Sequence, residues 1–294
     1  MNPAAGRGGI RARLPQLRET FSAHGIRTVY ETSASGDEEA LTRRAIKEGY
    51  ATIVAVGGDG TCGRIASAII DSKSRCRLAV LAAGTGNDFA KTLGVEKLTP
   101  GEVAELVARG DETRIDAGLA DGHYFVNSCG FGFDASVLEA TNTIQFLKGD
   151  AVYIYAALKQ LFTYRGVDVS TNGAPGVPRG QMLMVTVSNG RWLGGAFNIA
   201  PNASVVDGRL DACFIGESDV VQRLKLFAGA LRGKHLGMPS VTTASVQQLA
   251  LTFPESPAME MDGELRVARS RTVELQCVHR ALSVLAAPGA LGRS

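Results

Sequence analysis

The sequence predicts a two-domain fold, in which a parallel α/β domain is followed by an antiparallel β-sandwich. The chain has 294 residues, a length that favours two domains over one. Strand and helix patterns alternate in the first third, which is typical of a parallel sheet with right-handed crossovers. After about Thr113 the pattern changes to short alternating strands separated by Gly, Pro, Asn and Ser, as in sandwiches or barrels.

The composition excludes several classes of protein. Apolar residues make up 45% and charged residues 20% of the chain, as in a soluble globular protein. The net charge of +2 argues against a general nucleic-acid partner, although it permits weak attraction to acidic lipids. The longest apolar stretch, "AVYIYAALKQLF", is shorter than the roughly 20 residues that span a bilayer. Five scattered cysteines without a CxxC motif indicate reduced thiols in the cytoplasm.

Six segments form the predicted α/β domain. Asp37–Gly49 is typical of a helix, because acidic residues come first, basic residues follow and a glycine ends it. Ala51–Val56 is a continuous apolar run, which predicts a buried strand. The predicted helices are 14–25, 37–49 and 64–71, and the predicted strands are 26–32, 51–56 and 77–82.

The chain opens with "MNPAAGRGG", which has the composition of a loop. A doubly wound sheet normally leads into such a loop with a strand, and a missing central strand would expose its neighbours' edges. We therefore expect either a start site upstream of Met1 or a sheet that lacks its first strand, and the sequence leaves both open.

The second part of the chain combines one helical region with several strands. Asp121-Gly122 predicts a hairpin turn, and residues 143–165 have a helical pattern whose aromatic residues Tyr153, Tyr155 and Phe162 we expect in the core. Basic residues around "LFAGAL" indicate either an interfacial helix or a solvated charged face; they are Arg223, Lys225, Arg232 and Lys234. Strands are predicted at 166–173, 182–190, 210–216, 246–253, 264–270 and 272–278, with a long loop at 171–180.

Two glycine-rich loops follow adjacent predicted strands. The first, Gly57 to Thr61, can wrap a phosphate, because glycines allow close approach and successive N–H groups attract an anion. It has no lysine before Thr61 and is not a Walker A loop, so a tight turn is the alternative. The second, Gly84 to Asp88, repeats the pattern, and both should lie where open α/β sheets bind ligands. Asp88 by itself suits a helix N-cap.

Carboxylates are concentrated at two places in the second part. Asp207 and Asp211 lie in "PNASVVDGRLDA", where an ordinary Asp-Gly turn is the alternative. Asp262 and Glu264 lie in "MEMDGELRV". On a strand, their spacing would place both side chains on one face, and a hairpin turn is again the alternative.

Together these motifs resemble diacylglycerol kinase-like lipid kinases, a family related to sphingosine and ceramide kinases. The resemblance rests on Asn2-Pro3 with the following glycines, "GGDGT", "GTGNDFAKTLG", "GFGFDA", "PNASVVDGRLD" and "DGE", in that order. It implies a Rossmann-like nucleotide-binding α/β domain, residues 1–117 joined by the C-terminal segment 283–294, and a β-rich lipid-substrate domain, residues 118–282. The active site would lie in the interdomain cleft.

The resemblance also implies roles for individual residues. The predicted ATP-binding residues are Asn2, Thr32, Gly57, Gly58, Asp59, Gly60, Thr61, Gly84, Thr85, Asn87 and Asp88. Asp207 would bind Mg²⁺ with the backbone carbonyls of Ser204 and Arg209. Asp262 would be the general base, with Glu264 beside it. Asp59 would repel phosphate directly, so we expect a Mg²⁺ between it and the phosphates and include it among the catalytic residues.

Two positions depart from the family pattern. The family usually has Asn and Glu where this chain has Gly63 and Arg64. The glycine removes one potential ligand contact, and the arginine reverses a charge near the site. Arg64 could bind a phosphate or point to solvent.

The resemblance implies an ATP- and Mg²⁺-dependent kinase that phosphorylates the hydroxyl of a membrane lipid, with diacylglycerol as the leading substrate. Such an enzyme would be cytoplasmic and would contact the membrane peripherally. The resemblance is also compatible with a homodimer. The alternatives are a non-catalytic nucleotide- or lipid-binding protein of the same fold and an NAD kinase, which shares a related glycine loop.

Overall fold

The computed structural model describes residues 1–6, 8–34, 36–141, 150–172 and 179–291. Most of the predicted loop 171–180 and the start of the helical region 143–165 lie outside these ranges, as does the side chain of Tyr153. The helices are α1 Gly9–Ala23, α2 Asp37–Lys47, α3 Asp59–Asp71, α4 Asp88–Thr92, α5 Pro100–Arg109, α6 Phe133–Thr141, α7 Asp150–Thr163 and α8 Val220–Ala230.

The strands alternate with these helices at first and then follow one another. They are β1 Thr52–Gly57, β2 Arg77–Ala82, β3 Thr113–Ala120, β4 His123–Phe125, β5 Ser128–Gly132, β6 Val167–Asn172, β7 Gly180–Ser188, β8 Trp192–Leu193, β9 Phe197–Asn198, β10 Leu210–Gly216, β11 Val241–Val246, β12 Gln248–Thr252, β13 Ala258–Met261, β14 Glu264–Val267 and β15 Thr272–Val284.

The amino-terminal domain is built on a parallel core. β1 pairs with β2 in parallel, and the end of β15 pairs with the other edge of β2. The helices α3 and α4 follow β1 and β2, so both strand-to-helix loops lie at the same edge. Apolar side chains of α3, α4, β1, β2 and the end of β15 form its core, among them Ile69, Leu78, Phe89 and Leu282.

The segment 26–32 was predicted to be a strand, and this prediction is wrong. Its backbone hydrogen bonds include one to the end of α1, from the Ile26 N–H to the Phe21 carbonyl (2.9 Å), and two to Met1. The Met1 amine donates to the Tyr30 carbonyl (2.8 Å), and the Thr32 N–H donates to the Met1 carbonyl (3.1 Å). The Asn2 N–H in turn donates to the Val56 carbonyl of β1 (2.9 Å). A contact of one residue is too short a ladder to make the segment a strand.

The β-rich domain is antiparallel. β7 lies at its centre and pairs with β5, β6 and β10. β13 pairs with β5 and turns into β14. Large buried side chains, including Phe131, Phe214 and Leu251, fill the interior. The parallel α/β core and this antiparallel sandwich confirm the predicted fold class.

β15 connects the two parts. Its first half pairs with β12, β3 pairs with both its first half and its end, and the end also reaches β2. The following segment continues on the first domain, where the Leu285 N–H donates to the Leu78 carbonyl (2.9 Å). The chain therefore returns to the first domain near residue 283, while the exact domain boundaries remain a prediction.

Other boundaries differ from the predictions. α1 begins at Gly9, ahead of the predicted start at Leu14, and contains Pro15. Tyr155 and Phe162 of α7, predicted in the core, are 42% and 62% exposed. Both belong to a surface face of the helix, since residues 155 and 162 are two turns apart.

Gly118 of β3 offers a test of the packing inside the β-rich domain. A Cβ there would lie 1.9 Å from Cζ of the fully buried Phe125. We expect Gly118→Ala to lower the free energy of unfolding by about 1–3 kcal/mol, as overpacking does, measured by urea denaturation. Gly101→Ala is the control, because its Cβ meets nothing within 4 Å and should stabilise by about 0.4–1 kcal/mol. Equal effects of the two substitutions would contradict this account.

Candidate active site

The two glycine-rich loops touch each other. β1 and β2 are paired with Val56 opposite Leu81, so the loops that leave them are neighbours. A Cβ added to Gly84 would lie 2.4 Å from Cα of Gly58. The contact therefore requires glycine at position 84, and it places both loops on one wall of the cleft.

The first loop is mostly the first turn of a helix. α3 begins at Asp59 and its N-cap Gly58 offers no side chain, whereas the predicted helix began at Arg64. Thr61 does not cap this helix: its Oγ1 accepts from Asn2 Nδ2 (2.9 Å) and donates to Glu38 Oε1 (3.3 Å). The first N–H groups of a helix have no intrahelical acceptor, so this turn suits an anion.

The second loop has a different cap from the one predicted. Asn87, not Asp88, is the N-cap of α4, in the left-handed conformation at φ 53°. Its side chain accepts from the Gly84 N–H (2.8 Å) and donates to the Gly84 carbonyl (3.0 Å). Thr85 lies partly buried in the bend between them. Asn87 thus holds the loop closed, and Asp88 faces the cleft from the first helical position.

Asp59 and Asp88 flank Gly86. A Cβ on Gly86 would lie 3.0 Å from Asp59 Oδ2 and 3.4 Å from Asp88 Oδ2. Asp59 accepts from the Phe89 N–H (3.0 Å), while Asp88 accepts from the Gly195 N–H (3.0 Å). Burial, and then the charge of Asp88, raise the pKa of Asp59 to about 7. Lys91, whose Nζ lies 3.2 Å from Asp88 Oδ1, supplies one compensating positive charge.

Asp262 lies in the turn of the β13–β14 hairpin and Glu264 begins β14, so the expectation that both lie on one strand is wrong and the hairpin turn is correct. Both Asp262 (φ 49°) and Gly263 (φ 86°) are left-handed, as in a tight hairpin turn. The Asp262 carboxylate accepts the N–H groups of residues 126, 127 and 128 at 2.8, 2.8 and 3.2 Å. Burial raises its pKa to about 6, although these three hydrogen bonds act in the opposite direction. It is therefore a carboxylate fixed in place and able to take a proton near neutral pH.

Glu264 is an ion-pair partner. Its carboxylate binds Arg64 Nη2 (2.5 Å) and Arg266 Nη2 (3.2 Å). Arg64 also binds Glu38 Oε2 (3.1 Å), and its side chain is only 21% exposed. Of the two alternatives for Arg64, pointing to solvent is therefore wrong.

Two further carboxylates belong to this site, Asp134 and Glu260, and neither was predicted as a site residue from the sequence. Both are buried, and within the described ranges Asp134 Oδ2 and Glu260 Oε2 have no hydrogen-bond partner. Burial, and then the charge of Asp88, raise the pKa of Asp134 to about 7. Burial, and then the charge of Asp134, raise the pKa of Glu260 well above its usual value. Asp134 lies in the "GFGFDA" motif, which was a usable signal. Glu260 looked like an ordinary strand residue.

The predicted metal residues lie apart from this cluster. Ser204, Asp207 and Arg209 belong to the loop before β10, where the Arg209 N–H donates to Asp207 Oδ1 (3.0 Å). The preceding N–H, of Gly208, donates to the buried Asp116 (2.6 Å). In the part of the chain that the structure describes, no three His, Cys, Asp or Glu side chains form a metal site. The assignment of this loop as a metal site remains a prediction.

A cavity adjoins the carboxylates. Its walls include Asp59, Asp88, Asp134, Glu260 and Asp262. The rest of its lining is mainly apolar and comes from α6, α7, α8 and the neighbouring strands; it includes Phe133, Leu138, Ala157, Leu161, Leu193, Phe197, Leu226 and Phe227. The space between the walls is about 1020 Å³, including the part open to solvent.

Comparison with known families places this geometry in context. The model described as "Diacylglycerol kinase catalytic domain" matches residues 1–120, and that described as "YegS C-terminal NAD kinase beta sandwich-like domain" matches residues 127–286. The chain belongs to the diacylglycerol kinase-like lipid kinase family. This confirms the resemblance found in the sequence.

Individual relatives in the lipid kinase family are named kinases. A Pseudomonas aeruginosa protein named "Probable lipid kinase YegS-like" is 32% identical over 267 residues, covering 88% of this chain and 84% of its own. The Bacillus subtilis diacylglycerol kinase is 25% identical over 265 residues, covering 90% and 88%.

Solved structures support the fold. A diacylglycerol kinase from Bacillus anthracis has a TM-score of 0.73 at 21% identity, covering 98% of this chain and 96% of its own. An NAD kinase from Archaeoglobus fulgidus, solved with ATP, has a TM-score of 0.54 at 12% identity, covering 95% and 91%. At these identities the likeness concerns the fold alone.

The raised pKa of Asp262 predicts how the kinase activity depends on pH. If Asp262 is the base, only its ionised form is active, so kcat/KM of the kinase reaction should fall as pH drops through about 6. Asp262→Asn should lose about 10²-fold or more of the activity, the usual contribution of a general base. Asp71→Asn, at an exposed ion pair with Arg43, is the control. Full activity of Asp262→Asn at pH 6 to 8 would contradict the assignment.

Proposed function

We propose that this protein transfers the γ-phosphoryl group of ATP to the hydroxyl of a membrane lipid, diacylglycerol, in a Mg²⁺-dependent reaction. The observation that carries the proposal is the cavity, in which an apolar lining meets the carboxylate cluster. Apolar walls suit acyl chains, and the carboxylates suit a hydroxyl that must lose its proton. The family membership and the kinase names of its relatives point to the same reaction.

We assign phosphate binding to one wall of the cleft and proton transfer to the other. On one wall the helix start at Asp59–Thr61 and the Gly84 loop would hold the phosphates through backbone N–H groups. On the other wall Asp262 would accept the proton of the lipid hydroxyl while its oxygen attacks the γ-phosphorus. The bond from that phosphorus to the β-phosphate oxygen breaks, and ADP leaves. Such transfer depends mainly on positioning and charge neutralisation.

The paired carboxylates Asp59 and Asp88 fit a Mg²⁺. They flank the same glycine, and each disfavours ionisation of the other, which a divalent cation would relieve. Mg²⁺ is typically held by one or two carboxylates together with waters and phosphate oxygens, so a closed protein site is not required. The metal, when bound, would neutralise phosphate charge.

Exposed apolar residues support peripheral membrane contact. Phe162 of α7 and Val221 and Leu224 of α8 are 62%, 61% and 39% exposed, and both helices also line the cavity. Lys225 of α8 is exposed as well. A surface that combines apolar and basic groups beside a mainly apolar cavity suits an acidic bilayer. Within the described residues, no helix is long and apolar enough to span one.

The proposal is tested with radiolabelled ATP and a panel of acceptors. Mixed micelles should contain diacylglycerol, sphingosine or phosphatidylglycerol, with NAD as a soluble acceptor, each with and without Mg²⁺. Mg²⁺-dependent labelling of diacylglycerol is the expected result. Labelling of another lipid instead would identify that lipid as the substrate and contradict diacylglycerol. Labelling of NAD would identify the protein as an NAD kinase and contradict the lipid kinase proposal. ATP binding by calorimetry without turnover on any acceptor would favour the non-catalytic alternative.

Ala157 of α7 tests whether the cavity holds the acyl chains. Ala157 lines the cavity, whereas its neighbour Ala156, which is equally buried, does not. Ala157→Leu fills part of the cavity, so it should raise KM for long-chain diacylglycerol about fivefold or more. It should affect a short-chain acceptor less and leave KM for ATP unchanged.

Ala156→Leu is the matched control for this substitution. It adds the same volume to a buried position of the same helix, so it carries the same overpacking cost without narrowing the cavity. The ratio of the long-chain to the short-chain KM should therefore stay unchanged in Ala156→Leu, and urea denaturation compares the stability of the two variants. The same change of this ratio in both variants would show that the acceptor binds elsewhere.

A further inference from the structure

The turn of the β13–β14 hairpin packs directly on the amino-terminal end of α3. A Cβ on Gly63 would lie 2.9 Å from Asp262 Oδ2, and one on Gly60 would lie 3.1 Å from Glu264 Oε1. Gly60 and Gly63 are three residues apart and share one face of the helix. The absence of side chains at these two positions is what lets the hairpin approach.

Arg64 lies beside this contact and connects three separate elements. Its Nη2 binds Glu264 of the hairpin (2.5 Å) and its Nη1 binds Glu38 of α2 (3.1 Å). The side chain of Glu38 is only 2% exposed, so its carboxylate needs a cation or several hydrogen bonds. Arginine can serve two carboxylates at once because its planar guanidinium presents several donors in fixed directions.

The contacts continue into the nucleotide wall. Glu38 Oε1 receives hydrogen bonds from Asn2 Nδ2 and from Thr61 Oγ1, both at 3.3 Å. A continuous polar chain therefore runs from Asn2 and Thr61, through Glu38 and Arg64, to Glu264. Glu264 is two residues from Asp262, the group that would take the proton.

We propose that Arg64 is a positioning residue for Asp262, which acts by holding the β13–β14 hairpin against α3. This inference rests on the proposed function, because it concerns the alignment of the base with the nucleotide wall. Arg64 binds the hairpin through Glu264 and binds α2 through Glu38. It thereby sets the distance between the two walls of the cleft without touching the acceptor.

Hydrogen exchange tests the docking without any kinase assay. We expect backbone amides of residues 258–267 to exchange about threefold faster or more in Arg64→Gln, and similarly in Glu264→Gln, than in the unmodified protein. Arg64→Lys, which keeps the charge, should be intermediate. Arg43→Gln is the matched control, since Arg43 also joins α2 to α3, through an exposed pair with Asp71. Unchanged exchange in Arg64→Gln would overturn the docking role, whatever the kinase assay shows.

Kinetics test the consequence for the reaction. Arg64→Gln and Glu264→Gln should each lower kcat about tenfold while KM for the lipid changes less than about twofold, because misplacement of a catalytic group slows the reaction itself. Because both act through one ion pair, the double variant should lose no more than the worse single variant. Losses of kcat that multiply in the double variant, or losses that appear only in KM, would overturn the positioning role.

Absence of turnover in the unmodified protein would instead count against the proposed function. The hydrogen-exchange experiment would still decide whether Arg64 holds the hairpin against α3.

Discussion

The whole molecule depends on β15 belonging to both of its parts. The first half of this strand pairs with β12, its end pairs with β2 of the parallel core, and β3 pairs with both. Because hydrogen-bonded strands cannot slide without breaking a ladder, this pairing fixes how the β-rich part sits on the first domain. The cleft between the glycine loops and the β13–β14 hairpin is the space that this constraint leaves.

The carboxylates in that cleft are costly to bury, and their surroundings compensate only in part. Asp262 has three backbone N–H donors, and Glu264 has two arginines. Asp59 keeps one N–H donor and a raised pKa, while Asp134 and Glu260 each retain an oxygen without a partner among the described residues. Incomplete compensation of this kind is common at sites that bind cations or move protons.

The sequence predicted the fold class and both glycine loops because those features depend on local patterns. Apolar runs, glycines and helix ends are read from neighbours in the chain. The strand predicted at 26–32 failed because a strand needs a partner strand, and among the described residues this segment forms backbone hydrogen bonds only with Met1 and the end of α1. Asp134 and Glu260 were missed for a similar reason, since only the packing of segments distant in the chain brings them to the site.

The departures from the family pattern at Gly63 and Arg64 looked in the sequence like lost ligand contacts. In the structure they are the positions that contact the hairpin.

Arg223 was predicted to be a surface charge of α8, and it is 6% exposed. Its guanidinium donates to the Leu161 and Tyr164 carbonyls at the end of α7 (2.9 and 2.7 Å) and binds Glu217. Those carbonyls are the unpaired acceptors that every helix leaves at its carboxyl end. Arg223 therefore joins α7 to α8, the two helices that line the cavity. Separating these helices would leave a buried guanidinium without its carbonyl acceptors, which adds a polar cost to the loss of apolar contacts.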